Sequence, residues 1–98
     1  NNMNISPKPA LVILTISFLV GCAGTTKPYR ASCDAEVDAA WKELDIAKAD
    51  GFTGTVSYAK ALSLITAAKT MQTVENFDNC YENAQKARFY ITESRQGR

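Results

Sequence analysis

The residues with the most chemistry open to them in this 98-residue chain are its three cysteines, Cys22, Cys33 and Cys80. Histidine is absent, so the commonest general base and metal ligand is missing. A thiol without an activating base is a weak nucleophile, and no Cys-x-x-Cys spacing lowers the pKa of one thiol through another. Four carboxylates, Glu36, Asp38, Glu43 and Asp45, crowd one segment. They do not follow the alternation of a calcium loop, and they read as a solvated helix face, not as a cation site. Ser57 and Ser63 have neither an adjacent base nor the strand-turn-helix setting of a nucleophilic serine. These residue types predict a protein that is not an enzyme and needs neither cofactor nor metal. The question becomes which elements position the cysteines.

Cys22 closes the one strongly apolar run of the chain. Ala10 to Val20 is eleven residues, nearly all apolar, behind the single positive charge of Lys8 and an expected start at Met3. At about 1.5 Å per residue it spans roughly half of a bilayer core of about 30 Å. That length suits the apolar region of an export signal and not a permanent span. The run ends in Leu19-Val20-Gly21-Cys22, which resembles the lipobox of bacterial lipoproteins. The resemblance implies a signal peptide over residues 1–21, cleaved before Cys22, and a diacylglyceryl group with a further acyl chain (commonly palmitate) on Cys22. It also implies a lipidated tether over residues 22–31 and a periplasmic domain over residues 32–98. Ala23 follows the cysteine where an aspartate favours retention in the inner membrane of enterobacteria, so the expected location is the outer membrane, facing the periplasm. With Lys8 in the leader, residues 22–98 balance ten basic against ten acidic residues. That balance supplies no long-range field for nucleic acid, and none is expected as a partner.

Three amphipathic segments follow the tether. From Ser32 to Asp50, Cys33, Val37, Ala40, Trp41, Leu44 and Ala47 recur at intervals of three and four, the signature of one helix face. Ser32 is the expected cap and Gly51 the expected stop, with Phe52 folding back on the core. A second helix is expected from Thr55, as cap, to Thr73, with Tyr58, Ala61, Leu62, Leu64, Ile65, Ala68 and Met71 on a broad face. A third runs from about Asn76 to Arg95, with Phe77, Cys80, Tyr81, Ala84, Ala87 and Ile91 inward. The fold class expected is all-α, a three-helix up-down-up antiparallel bundle with one disulfide. In that arrangement Cys33 and Cys80 share one end of the bundle and both face inward. Once Cys22 is set aside as the lipid site, they are an even pair in an oxidising compartment, expected to form the disulfide. Two free thiols or a redox pair are the competing readings, and pairing within one chain or between two stays open. A core this small is marginal alone and gains from such a staple.

The aromatic residues are the remaining candidates. Trp41 lies between Val37 and Leu44 and is expected in the core, in preference to serving as a stacking platform for a glycan or partner. Of Tyr29, Tyr58, Tyr81 and Tyr90, which could line a groove, Tyr90 stands out because Phe89-Tyr90-Ile91 is apolar around more than one helix face. Phe89 and Tyr90 are the candidate partner surface, with packing against the tether as the other reading. The spacing Tyr58, Ala61, Leu62, Ala68 and then Phe77, Tyr81, Ala84, Ala87 is loosely similar to a helical hairpin of the tetratricopeptide type, over barely one repeat. Together with the lipobox, the chain resembles small outer-membrane lipoproteins with a helical periplasmic domain, comparable in kind to pilotins. That resemblance implies an anchored protein-interaction module serving an envelope assembly. A glycan- or peptidoglycan-binding lipoprotein and a self-associating structural one are the alternatives.

Overall fold

A computed structural model describes residues 27–98, and these form three helices and no strand. Helix α1 spans Arg30–Ala49, α2 Val56–Thr73 and α3 Phe77–Ser94. At about 1.5 Å per residue each is roughly 27–30 Å long. The lipobox, Cys22 and the leader lie outside the described residues.

The helix ends show which local signals act. Gly51 takes a positive φ of 90°, and the Gly51 and Phe52 amides donate to the carbonyls of Lys48 and Ala47 at 3.1 and 3.0 Å. This Schellman closure satisfies the carbonyls that the last turn of α1 would leave open. Phe52 then folds back against the core, as its position predicts. Thr55 caps α2 as expected, its hydroxyl accepting from the Tyr58 amide at 3.1 Å and donating to the Phe52 carbonyl at 2.9 Å. Ser32 does not cap α1. The helix starts two residues earlier, and Tyr29 holds the cap position with φ 67° and no side-chain hydrogen bond. Tertiary contacts impose this start, because the Tyr29 ring lies 5.8 Å from that of Tyr81 and the Arg30 guanidinium sits 4.6 Å over Phe77. Residues 30 and 31 thus belong to α1, where the sequence reading ends the tether at 31. Glu75 ends α2 with φ 62°, its amide donating to Gln72 and the Asn76 amide to Met71, at 3.1 and 2.8 Å. That closure usually falls to glycine, since a left-handed residue with a Cβ costs about 1–2 kcal/mol.

Two clusters make up the core. Cys33, Val37, Ala68, Phe77, Cys80 and Ala84 form one, with Met71 against it. Ala40, Leu44, Ala47, Ala61, Ile65, Ala87 and Ile91 form the other, flanked by Phe52, Tyr58, Leu64 and Tyr90. Alanine at these positions lets helix backbones approach closely. Leu62, expected on the inner face of α2, is 40% exposed at its edge. The Cys33 and Cys80 sulfurs are 2.01 Å apart, at disulfide distance and within one chain, with both residues fully buried. The bond joins the first turn of α1 to that of α3, the two helices with no direct connection.

The cross-link closes 47 residues of chain. In the chain-entropy account a loop of that length contributes about 4 kcal/mol. Reducing the full chain, or replacing Cys33 and Cys80 together by alanine, is expected to lower Tm by more than about 15 °C, given about 4–8 °C per kcal/mol for a domain of this size. Thermal circular dichroism with and without reductant reads the effect. An unchanged Tm would remove the staple from any role in stability.

Candidate partner-binding surface

Phe89 and Tyr90 occupy adjacent positions on α3 but different environments. Tyr90 packs half-buried against the core, with the Lys60 ammonium 5.1 Å from its ring centroid. Phe89 is 60% exposed and meets the Tyr90 ring edge-on at 5.2 Å. Beside them an open groove of about 320 Å³ runs along the α2–α3 seam, lined by Lys60, Ser63, Leu64, Lys86 and Tyr90. The structure therefore assembles an aromatic and lysine surface around the candidate residues. Lys60, Ser63 and Lys86 were not legible as part of it, because only the packing of α2 against α3 brings residues 26 positions apart to one groove.

Trp41 corrects a sequence-based expectation. It is 37% exposed, and the fully buried position beside it is Ala40. The buried set on α1 is Cys33, Val37, Ala40, Leu44 and Ala47, and Trp41 lies about 100° around the helix from Ala40. Close approach of the neighbouring helices favours the small residue at the centre and leaves the large one at the edge. The four tyrosines do not line one groove. Tyr29 and Tyr81 stack near the start of α1, whereas Tyr58 and Tyr90 pack on the other core cluster.

The acidic segment of α1 divides in two. Asp38 and Asp45 are exposed, whereas Glu36 and Glu43 turn toward α3 and hold Arg88. Arg88 donates from Nε to both Glu43 oxygens at 3.1 Å, from Nη2 to Glu43 Oε2 at 2.7 Å, and from Nη1 to Glu36 Oε1 at 2.9 Å. The Glu43 hydrogen bonds hold the guanidinium pKa above its already high ordinary value, so this charge is permanent. Planar two-pronged pairing of this kind favours arginine over lysine. The spacing of seven between the two glutamates was the available signal, since it puts both on one helix face. Elsewhere Arg95 lies 3.6 Å from Asp50, Gln72 donates to Asp34 at 2.7 Å, and Arg98 pairs with Glu93 at 3.1 Å.

A second acidic centre lies where the chain enters the domain. Lys27 Nζ is 2.9 Å from Glu75 Oε1 and Arg30 Nη2 is 3.6 Å from Oε2. The hydrogen bond from Lys27, followed by its charge, holds the Glu75 carboxyl below its ordinary value of 4.5. Ser57 is buried and Ser63 lies in the groove, neither with a histidine available to it. Among the described residues no three Cys, Asp or Glu side chains converge as a metal site requires, and no helix is long and apolar enough to cross a membrane. No known family, curated protein or solved structure shows significant similarity to this chain.

Glu75 carries two separable effects. Glu75→Gly is expected to relieve the left-handed strain and raise Tm by about 4–8 °C, for about 1 kcal/mol. The same change frees Lys27, read as faster amide exchange over residues 27–30. A lower Tm would show that the ion pairs outweigh the strain. In the unsubstituted protein a carboxyl with a lowered folded pKa contributes fully above its unfolded value, and that contribution is lost as pH falls through the folded one. The Lys27–Glu75 contact is therefore expected to persist down to about pH 4.5 and to release below it, followed by NMR shifts of Lys27 and Glu75.

Proposed function

We propose that this chain is a lipid-anchored protein-interaction module, facing the periplasm from the bacterial outer membrane as an accessory or structural component of an envelope assembly. The observation that carries this reading is Leu19-Val20-Gly21-Cys22 at the end of an eleven-residue apolar run behind Lys8. Two or three acyl chains on Cys22, at about 0.8 kcal/mol per buried methylene, make a durable anchor where one chain would not. Ala23 after the cysteine supports the outer membrane, and Ala23 to Pro28 reads as a short spacer. Confinement to a thin layer raises the effective concentration of the domain for partners in that layer.

The domain is read as an up-down-up antiparallel bundle. Three links support this. Cys33–Cys80, Glu43–Arg88 and Asp50–Arg95 join successive, corresponding positions along α1 and α3. Asp34 near the start of α1 meets Gln72 near the end of α2, and Lys60 early in α2 meets Tyr90 late in α3. The role assigned is binding and not catalysis, supported by Phe89, a large aromatic left mostly in solvent beside a groove. Exposure of Trp41 favours a second reading, a glycan- or peptidoglycan-binding lipoprotein, because a partly open indole offers a stacking face to a sugar.

Membrane fractionation and intact mass, combined with a photo-crosslinking amino acid at position 89, test the proposal in cells. A lipid-sized increment on a chain beginning at Cys22, lost with release from membranes in Cys22→Ser, is the expected outcome. A crosslinked companion of fixed stoichiometry supports a heterologous partner, whereas a crosslink to a second copy supports the self-associating form. An unmodified chain beginning before Cys22 would overturn the anchor and the location together. Muropeptide-dependent Trp41 fluorescence without any crosslink would favour the glycan reading instead.

A further inference from the structure

The charges of the described domain are distributed unevenly between satisfied and unsatisfied partners. Each of its arginines, Arg30, Arg88, Arg95 and Arg98, has a carboxylate within 4.0 Å, and so does Lys27. Lys60 and Lys86 have none among the described residues, and both line the α2–α3 groove. Helix α2 contains no acidic residue that could neutralise Lys60. Glu82, one turn before Lys86 on α3, does not come within pairing distance of it. Two ammonium groups thus share an open groove without an internal counter-charge.

Apolar material floors the same groove. Leu64 and Tyr90 pack on the core cluster of Ile65, Ala87 and Ile91, so the floor is anchored. The Tyr90 ring face holds the Lys60 ammonium at 5.1 Å, an attraction worth about 0.5–1 kcal/mol at an exposed site, which keeps that charge over the groove. Phe89 extends the apolar surface outward from Tyr90. An open trough along a helix seam, unlike an enclosed cavity, admits side chains from a continuous segment.

We propose that this groove binds an acidic peptide segment of a protein partner, one in which carboxylates flank an aliphatic or aromatic side chain. Its carboxylates pair with Lys60 and Lys86, and its apolar side chain lies on Leu64 and Tyr90 against Phe89. The proposal rests on the protein-interaction reading above and names the chemistry of that partner. The recognition is electrostatic at the walls and apolar at the floor, so binding weakens as salt screens the lysines.

The test is an NMR titration of the ¹⁵N-labelled full chain with the capped peptide acetyl-Glu-Leu-Asp-Phe-Glu-Leu-amide, beside its Gln/Asn counterpart. Expected is saturable perturbation of Lys60, Ser63, Lys86 and Tyr90 by the acidic peptide. The counterpart is expected to bind at least about tenfold more weakly, a difference of about 1.4 kcal/mol. Lys60→Glu with Lys86→Glu is expected to remove binding and leave Tm unchanged, since both side chains are exposed. Lys42→Glu, which reverses an unpaired lysine on α1, is expected to leave binding intact. Equal binding of the uncharged peptide, equal loss in Lys42→Glu, or no perturbation at about 1 mM peptide would each overturn the proposal. Binding of the full chain to phosphatidylglycerol vesicles through the same lysines, without response to the peptide, would overturn it in favour of a lipid surface. Any of these failures leaves the lipid mass and the position-89 crosslink untouched, so the two readings fail separately.

Discussion

The bundle depends on how close its helices come at the Cys33–Cys80 link. Thirteen apolar residues are buried among the described residues, and six of them are alanines, which draw backbones together but remove little area from water. Full burial of a large side chain contributes about 1.5–3 kcal/mol, and only Val37, Leu44, Ile65, Phe77 and Ile91 are large and buried here. Such a core leaves little margin against the conformational entropy of ordering the chain. A cross-link between α1 and α3 acts on the other side of that balance. It restricts the unfolded chain and asks for no additional apolar area. Small core residues and a staple are therefore one solution: the alanines permit the approach that sets the cysteines at bonding distance.

Polar contacts extend the same pairing of α1 with α3. Arg88 reaches Glu36 and Glu43 midway along, and Arg95 approaches Asp50 farther on. Exposed ion pairs contribute little singly, but a two-pronged guanidinium between half-buried carboxylates is better held than a lone surface pair. Its contribution to specificity is clearer than its contribution to stability, because sliding α3 by one turn would break all three hydrogen bonds to Glu43 at once. Apolar packing of alanines would resist such a slide weakly.

What the sequence disclosed and what it withheld follow a physical division. Intervals of three and four located all three helices, and Gly51 and Thr55 acted at α1's end and α2's start because their effects are local. Ser32 misled because the start of α1 is decided by Tyr29 on Tyr81 and Arg30 on Phe77, contacts with residues more than 40 positions away. Trp41 misled because two adjacent residues, Ala40 and Trp41, both fit the stripe, and the spacing between helices decides which one enters. Glu75 gave no sign of its left-handed backbone, since glutamate seldom closes a helix that way. In the candidate surface, Phe89 and Tyr90 were legible from local composition. The lysines that wall the groove were not, because a tertiary seam creates it.

Paired and unpaired charges carry the last step. A lysine already held by a carboxylate must break that contact before it serves a partner, so the exchange gains little. Lys27 and Arg30 are engaged by Glu75 in this way, at the end of the domain where the chain enters. Lys60 and Lys86 have no such competitor among the described residues, so a carboxylate arriving there gains its interaction without displacing another. A domain with nearly balanced charge attracts nothing at long range, and its selectivity lies in where the imbalance is local. Here that place coincides with the one large aromatic of α3 left mostly in solvent, which is the combination a recognition surface needs: charge to orient a segment and apolar area to retain it.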